Sequence, residues 1–226
     1  MGGRIPRWES ELWSYISSGD GEHCPIYDHC QARLRGGLCI SEHKEQLDRL
    51  LDSSHFDYRN YDFVPFVTPG RIFELIEMLA EKYVKMGEIR APPVPTTFVG
   101  LFDPRRTVEV RMVPFKTYHG AIWCLKDSWV VQLNENDTPA RRRFSLFHEG
   151  FHILAHCKAT PVFRRRGSER GSFNELLAEY FASCILMPGQ WVKEKWAEVK
   201  DLGRMTEIFG VPEIAMWARL KTLHLI

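Results

Sequence analysis

The chain lacks any long apolar run: nothing in it approaches the ~18–20 residues a helix needs to cross a bilayer. The opening stretch, MGGRIPRWESELW, also lacks the apolar core of a signal peptide. These two absences predict a cytoplasmic protein with no membrane association. An excess of charge is missing too. Thirty Lys and Arg face 29 Asp and Glu, a formal net charge of +1. No global field therefore argues for nucleic acid or an anionic lipid surface. Cysteine is sparse, with six in 226 residues. In a cytoplasmic protein these are expected as thiols or metal ligands rather than disulfides. What is present is 44% hydrophobic and 26% charged residues. That balance suits an ordinary folded core, as one domain with an appendage or as two small domains.

The chemistry concentrates in residues 144–156, FSLFHEGFHILAH. His148-Glu149-Gly150-Phe151-His152 is an H-E-x-x-H sequence. Residues four apart share one helix face, so both imidazoles can reach a single Zn²⁺. Glu149 sits beside that point without ligating and is placed to take a proton from a water that the metal acidifies. Phe144, Leu146, Phe147, Phe151, Ile153 and Leu154 repeat on the helical period, as in a helix buried in a core. The same five residues also fit two packed histidines with a solvated glutamate. His156 lies roughly 12 Å along a straight helix from His148 and cannot share its ion; it reads as structural.

Residues 173–188, FNELLAEYFASCILMP, carry a second helical stripe that Pro188 stops. A catalytic zinc takes three protein ligands and keeps one open position. Glu175, near the start of this helix, can supply the third. Ala178 and Ala182 would let the two helices approach closely. Glu179 could accept a hydrogen bond from a ligating histidine, or be an ordinary, partly exposed glutamate.

RRRFSLFHEGFHILAH followed by NELLAEYFASCILMP resembles the ImmA/IrrE metallopeptidases. Their pattern is roughly R-x-x-[FL]-[TS]-x-x-H-E-x-x-H-x-x-x-H, then E-x-x-A-x-x-[FA]-A-x-x-[IL]-L-M-P. The Asn174-Glu175 pair is also similar to the third-ligand segment of thermolysin-like gluzincins. The resemblance covers roughly residues 68 to 226. It implies a zinc metallopeptidase with an α+β, zincin-like core of helices on a small, mainly antiparallel sheet. It further implies a protein substrate, such as a DNA-binding transcriptional repressor cut in a stress or mobile-element response. Phe147 and Glu179 depart from the pattern, which usually has Ala and Asn there; the metal ligands are untouched.

Three segments are expected: 1–67 as an N-terminal segment, 68–188 as the peptidase core, and 189–226 as a helical segment packed on it. Residues 8–16 form a short amphipathic piece. Cys24, Cys30 and Cys39, with His43, make a candidate second metal site. Three cysteines and a histidine suit structural zinc, and three cysteines suit an iron–sulfur cluster; three unrelated thiols are the alternative. Residues 41–52 and a run from Thr68-Pro69 to Gly87 read as helices. Residues 97–102, 107–113, 120–125 and 128–133 read as short strands joined in hairpins. The arginines at 164–166 and 170, with those at 141–143, belong to a solvated loop and helix start, or else to a basic rim that steers an acidic substrate or nucleic acid. The tail, residues 205–226, has the outline of a helix-turn-helix, but its only basic residues besides His224 are Arg219 and Lys221. It reads as a packing element rather than a DNA reader. Tyr118, His119 and Tyr180 are candidate donors to a developing oxyanion.

The reading that follows is a zinc-dependent endopeptidase, with His148, His152 and Glu175 on the metal and Glu149 as general base. Two alternatives remain open. One is a nucleic-acid-binding regulator acting through the Cys/His segment and basic loops. The other is an antitoxin-like, partner-binding protein that keeps the fold.

Overall fold

The helix that carries His148 and His152 is buried from Phe144 to Ala155, with only His152 partly exposed, so other elements must enclose it. The computed structural model describes residues 5–18, 71–116, 118–158 and 172–226, and shows what encloses it. Before it in the chain come helix α1 (Arg7–Ser18), helix α2 (Arg71–Met86), a 3-10 helix (Thr96–Leu101) and strands β1 (Thr107–Val113), β2 (Gly120–Cys124) and β3 (Ser128–Asn134). The helix itself is α3 (Pro139–Lys158), followed by α4 (Ser172–Leu186). Three short helices close the chain: α5 (Gly189–Val199), α6 (Leu202–Phe209) and α7 (Glu213–Thr222). The fold is thus α+β, with helices packed on a small sheet.

Thr138 caps α3, its hydroxyl accepting from the Arg141 amide at 3.2 Å, and Pro139 occupies the first turn, where no amide partner is needed. Phe147, Phe151, Ile153, Leu154 and Ala155 are fully buried on α3, as are Leu177, Ala178, Phe181, Ala182 and Ile185 on α4. Phe151 and Phe181 pack with ring centres 5.4 Å apart. Gly150 is a close-approach point. A Cβ there would lie 2.4 Å from Cε2 of Phe102. Gly150→Ala is therefore expected to destabilise by about 1–3 kcal/mol through overpacking, read from the urea midpoint. A neutral result would mean that the Phe102 ring moves aside freely.

β3 is the central strand, in the order β1–β3–β2. β2 pairs with it antiparallel, Gly120 opposite Leu133 and Cys124 opposite Trp129. β1 pairs with it in parallel, Thr107 opposite Ser128 and Val113 opposite Asn134. The sheet is therefore mixed, with one ladder of each sense where hairpins throughout were expected. β1 ends opposite the last residue of β3 and β2 starts opposite the residue before it, so the two flank β3 instead of pairing with each other. Asn134 ties residues between β1 and β2 to that end of β3, donating from Nδ2 to the carbonyls of Phe115 and Tyr118, both at 3.2 Å.

The expected strand at 97–102 is instead the 3-10 helix Thr96–Leu101 with Phe102 as its C-cap. Phe98, Val99 and Phe102 are the buried residues, a helical spacing rather than an alternation. The turn begins at Pro95, whose carbonyl accepts from the Phe98 amide at 3.1 Å.

The expected amphipathic piece near the N-terminus is α1. It buries Leu12, Trp13 and Ile16, and its buried Glu9 meets Lys82 of α2 at 2.6 Å. At the other end of the chain, Arg219 of α7 is fully buried. Its Nε donates to the Met187 carbonyl at 3.0 Å and its Nη2 pairs with Glu77 of α2. The tail is thus tied into the core through one of its two basic side chains besides His224. Among the described residues, no helix is long and apolar enough to cross a membrane.

Candidate metal centre

Neighbouring helices converge on one point. His148 and His152 stand one turn apart on α3, with ring centres 5.2 Å apart. Glu175 enters from the first turn of α4. Its Oε2 lies 3.1 Å from Nε2 of His148, and its Oε1 lies 3.3 Å from Nε2 of His152. Ligand atoms of these three residues all lie within 4.8 Å of one another, the one such group of three or more among the described residues.

The donor set can be compared with zinc coordination. At bond lengths of ~2.0–2.1 Å, a tetrahedral ion separates neighbouring donors by about 3.3–3.4 Å. The imidazole–carboxylate spacings match that. Two imidazoles and one carboxylate also favour zinc over calcium, which takes six to eight oxygens. The residues present therefore fit zinc.

The electrostatics follow from the same contacts. Burial by itself would lower the His148 pKa, but hydrogen bonds to Glu175 and Glu179 outweigh it and raise the value to about 9. Burial would raise the Glu175 carboxyl, yet its contacts with His148 and His152 hold it far below the usual carboxylate range. Glu179, one turn beyond Glu175 on α4, places Oε2 3.3 Å from Nδ1 of His148. Both ring nitrogens of His148 thus face carboxylates.

Glu149 is buried beside this cluster, at 6% exposure. It lies against the first residue of β2. A Cβ on Gly120 would come within 3.1 Å of Glu149 Oε1 and 3.4 Å of its Cγ. A side chain there would make the Glu149 carboxylate give way by a few tenths of an ångström. The sequence places Gly120 at the start of a strand, 120–125, without giving it this role; a glycine at that position was the available signal.

The other singled-out residues fall elsewhere. His156 packs edge-on against Trp129, ring centres 5.0 Å apart, away from the three-residue group. Phe147 is fully buried against Phe98 and Phe102, filling space next to the 3-10 helix. Arg142 donates to the carbonyls of Glu135 and Asp137, and Arg143 to that of Val94. These two are tied into the structure at the start of α3 rather than free on a rim. Tyr118 is 69% exposed, and Tyr180 is buried edge-on against Phe73. Cys24, Cys30, Cys39 and His43 lie outside the described residues, as do the arginines at 164–166 and 170.

Among curated protein sequences, none matches the chain. Among solved structures, the chain is similar to a Mycobacterium tuberculosis transcriptional regulator, with a TM-score of 0.52 and 17% identity. The likeness covers 78% of this chain and 51% of that one, so the chain spans about half the regulator's length. At that identity the likeness speaks to fold alone. The profile of a known family runs over residues 105–221, from the start of the sheet through nearly all of α7, and its description is Peptidase_M78, IrrE N-terminal-like domain. Because that match takes in just over half of the sequence, donor cluster included, the chain belongs to the IrrE N-terminal-like family of M78 peptidases.

Proposed function

We propose that this protein is a zinc-dependent endopeptidase whose substrate is another protein. One observation carries the reading: two imidazoles and a carboxylate converge at the spacing a tetrahedral zinc requires, with a buried glutamate next to them. His148, His152 and Glu175 would hold the ion. When bound, zinc supplies Lewis acidity, polarising a peptide carbonyl and acidifying water. Glu149 takes a proton from the attacking water and passes it to the leaving amine. Its position against Gly120 keeps the carboxylate out of bulk water. Among the described residues β2 is an outer strand of the sheet, so its outer edge can pair with an extended substrate. In the proposed division, residues 68–188 form the catalytic core and 189–226 pack on it, after an N-terminal segment of 1–67.

The test is zinc content and hydrolysis in tag-free protein. One zinc per chain, with peptide cleavage that is lost on chelation and restored by zinc, is the expected outcome. A second metal per chain would point to Cys24, Cys30, Cys39 and His43. A metal-free protein that cleaves equally well would end the proposal. Glu179 is read as the group that orients His148 for the ion. Glu179→Ala should weaken zinc binding about 10–100-fold, measured by competition with a chromophoric chelator. Unchanged affinity would make Glu179 incidental.

The similar M. tuberculosis structure is called a transcriptional regulator, which favours a regulatory setting. The substrate proposed on that ground is a DNA-binding repressor in the cytoplasm. The same observation supports a second reading, in which the fold binds a regulatory partner and cleavage is secondary. Glu149→Gln separates the two: an unaffected cellular phenotype in that variant supports partner binding over proteolysis.

A further inference from the structure

His119 and Asp137 form a pair outside the donor cluster. Nδ1 of His119 lies 2.9 Å from Oδ2 of Asp137, and the side chains are 24% and 13% exposed. A partly exposed pair of this kind contributes little to folding, so stability does not account for how firmly it is built. Asn134 holds it from both sides. Its backbone amide donates to the His119 carbonyl at 3.0 Å, and its side chain donates to the Tyr118 carbonyl. Asp137 in turn sits in the short turn before α3, its amide donating to the Asn134 carbonyl at 3.2 Å.

The pair also has a defined chemistry. With Asp137 accepting from Nδ1–H, the neutral imidazole has its lone pair on Nε2. Nε2 makes no hydrogen bond to any described residue. His119 directly precedes Gly120, the residue that lies against the Glu149 carboxylate. It stands just before β2, which is an outer strand of the sheet among the described residues. The two other polar residues considered for the site do not compete. Tyr118 is exposed, and Tyr180 is buried with its hydroxyl turned to Cys184.

We propose that Nε2 of His119 accepts a hydrogen bond from a backbone N–H of the bound substrate beside the scissile bond. Asp137 is the positioning residue that sets the ring and its tautomer. This rests on the peptidase reading above and adds a substrate contact to it.

The test uses the full-length, zinc-loaded protein and two probes sharing one zinc-chelating group. Acetohydroxamate carries no peptide backbone; a leucine-containing dipeptide hydroxamate adds peptide N–H groups. His119→Ala should weaken the dipeptide probe about tenfold, the loss of one hydrogen bond. Acetohydroxamate affinity and zinc content should not change. Asp137→Asn should produce a similar loss with almost no change in size. Its amide can donate to Nδ1, which turns Nε2 from acceptor to donor. His119→Gln, which keeps an acceptor, should recover part of the affinity, and serves if the alanine variant does not fold. A purely structural pair would move both probes together, or neither. Wild-type affinity for the dipeptide probe in His119→Ala and Asp137→Asn overturns this proposal and leaves the peptidase reading standing. So does a wild-type protein that binds the dipeptide probe no more tightly than acetohydroxamate. A zinc-loaded wild type that binds neither probe overturns the peptidase reading, and this proposal with it.

Discussion

Glu149→Gln should retain zinc and lose hydrolysis by about 10²–10⁴-fold, the usual contribution of a positioned general base. Glutamine has nearly the same shape and keeps the contact with Gly120, so the donor cluster should be undisturbed. What it cannot do is take a proton from water. His148, His152 and Glu175 keep their mutual distances because they belong to the packing of α3 against α4, in which Phe151 and Phe181 meet at 5.4 Å. The measurement is cleavage of a proteome-derived peptide library by mass spectrometry, at equal zinc content in the two proteins. Equal cleavage would show that Glu149 is not the base. Loss of zinc together with cleavage would show that it supports the metal instead. A variant that binds but does not cut also offers a route to the substrate, since partners that wild-type protein consumes should be retained.

Arg219→Ala should destabilise the fold by about 3 kcal/mol, at the lower end of what breaking a buried ion pair costs. Three losses combine. Glu77 loses its cation, the Met187 carbonyl loses its donor, and the space of a fully buried guanidinium is left behind. The lower end applies because the Glu77 side chain is one-third exposed, so water can partly replace the arginine. For the same reason Glu77→Gln should cost less, about 1 kcal/mol, the worth of an ordinary hydrogen bond. Urea denaturation of the two variants checks both values. A loss well under 1 kcal/mol for Arg219→Ala would mean that the closing helices do not depend on this contact. The link matters for function because Met187 closes the α4 segment that begins with Glu175. A tail detached from α2 would loosen the helix that presents the third donor.

Much of the site was legible because its information is local. Spacing in H-E-x-x-H sets two imidazoles one turn apart, and a carboxylate in the first turn of the next apolar helix is a natural third donor. The α+β class was legible for a similar reason, since helical and alternating periods are written within each segment. What escaped depends on partners distant in the chain. Thr96–Leu101 contains residues that favour strands, but the spacing of Phe98, Val99 and Phe102 and the turn at Pro95 decide for a 3-10 helix. The parallel pairing of β1 with β3 goes with contacts made at the end of β3, where Asn134 holds the carbonyls of Phe115 and Tyr118. Nothing at Asn134 itself announces that. The burial of Arg219 was not legible because its partner, Glu77, stands far away in sequence. Gly120 and the His119–Asp137 pair escaped likewise, because each has its meaning on another element.

The most direct test of the central claim is a crystal structure of the tag-free, zinc-loaded protein, with an anomalous map recorded at the zinc edge. The account predicts a peak about 2.0–2.2 Å from Nε2 of His148, Nε2 of His152 and a carboxylate oxygen of Glu175. No peak between those three atoms, or a Glu175 side chain turned away from both imidazoles, would contradict it.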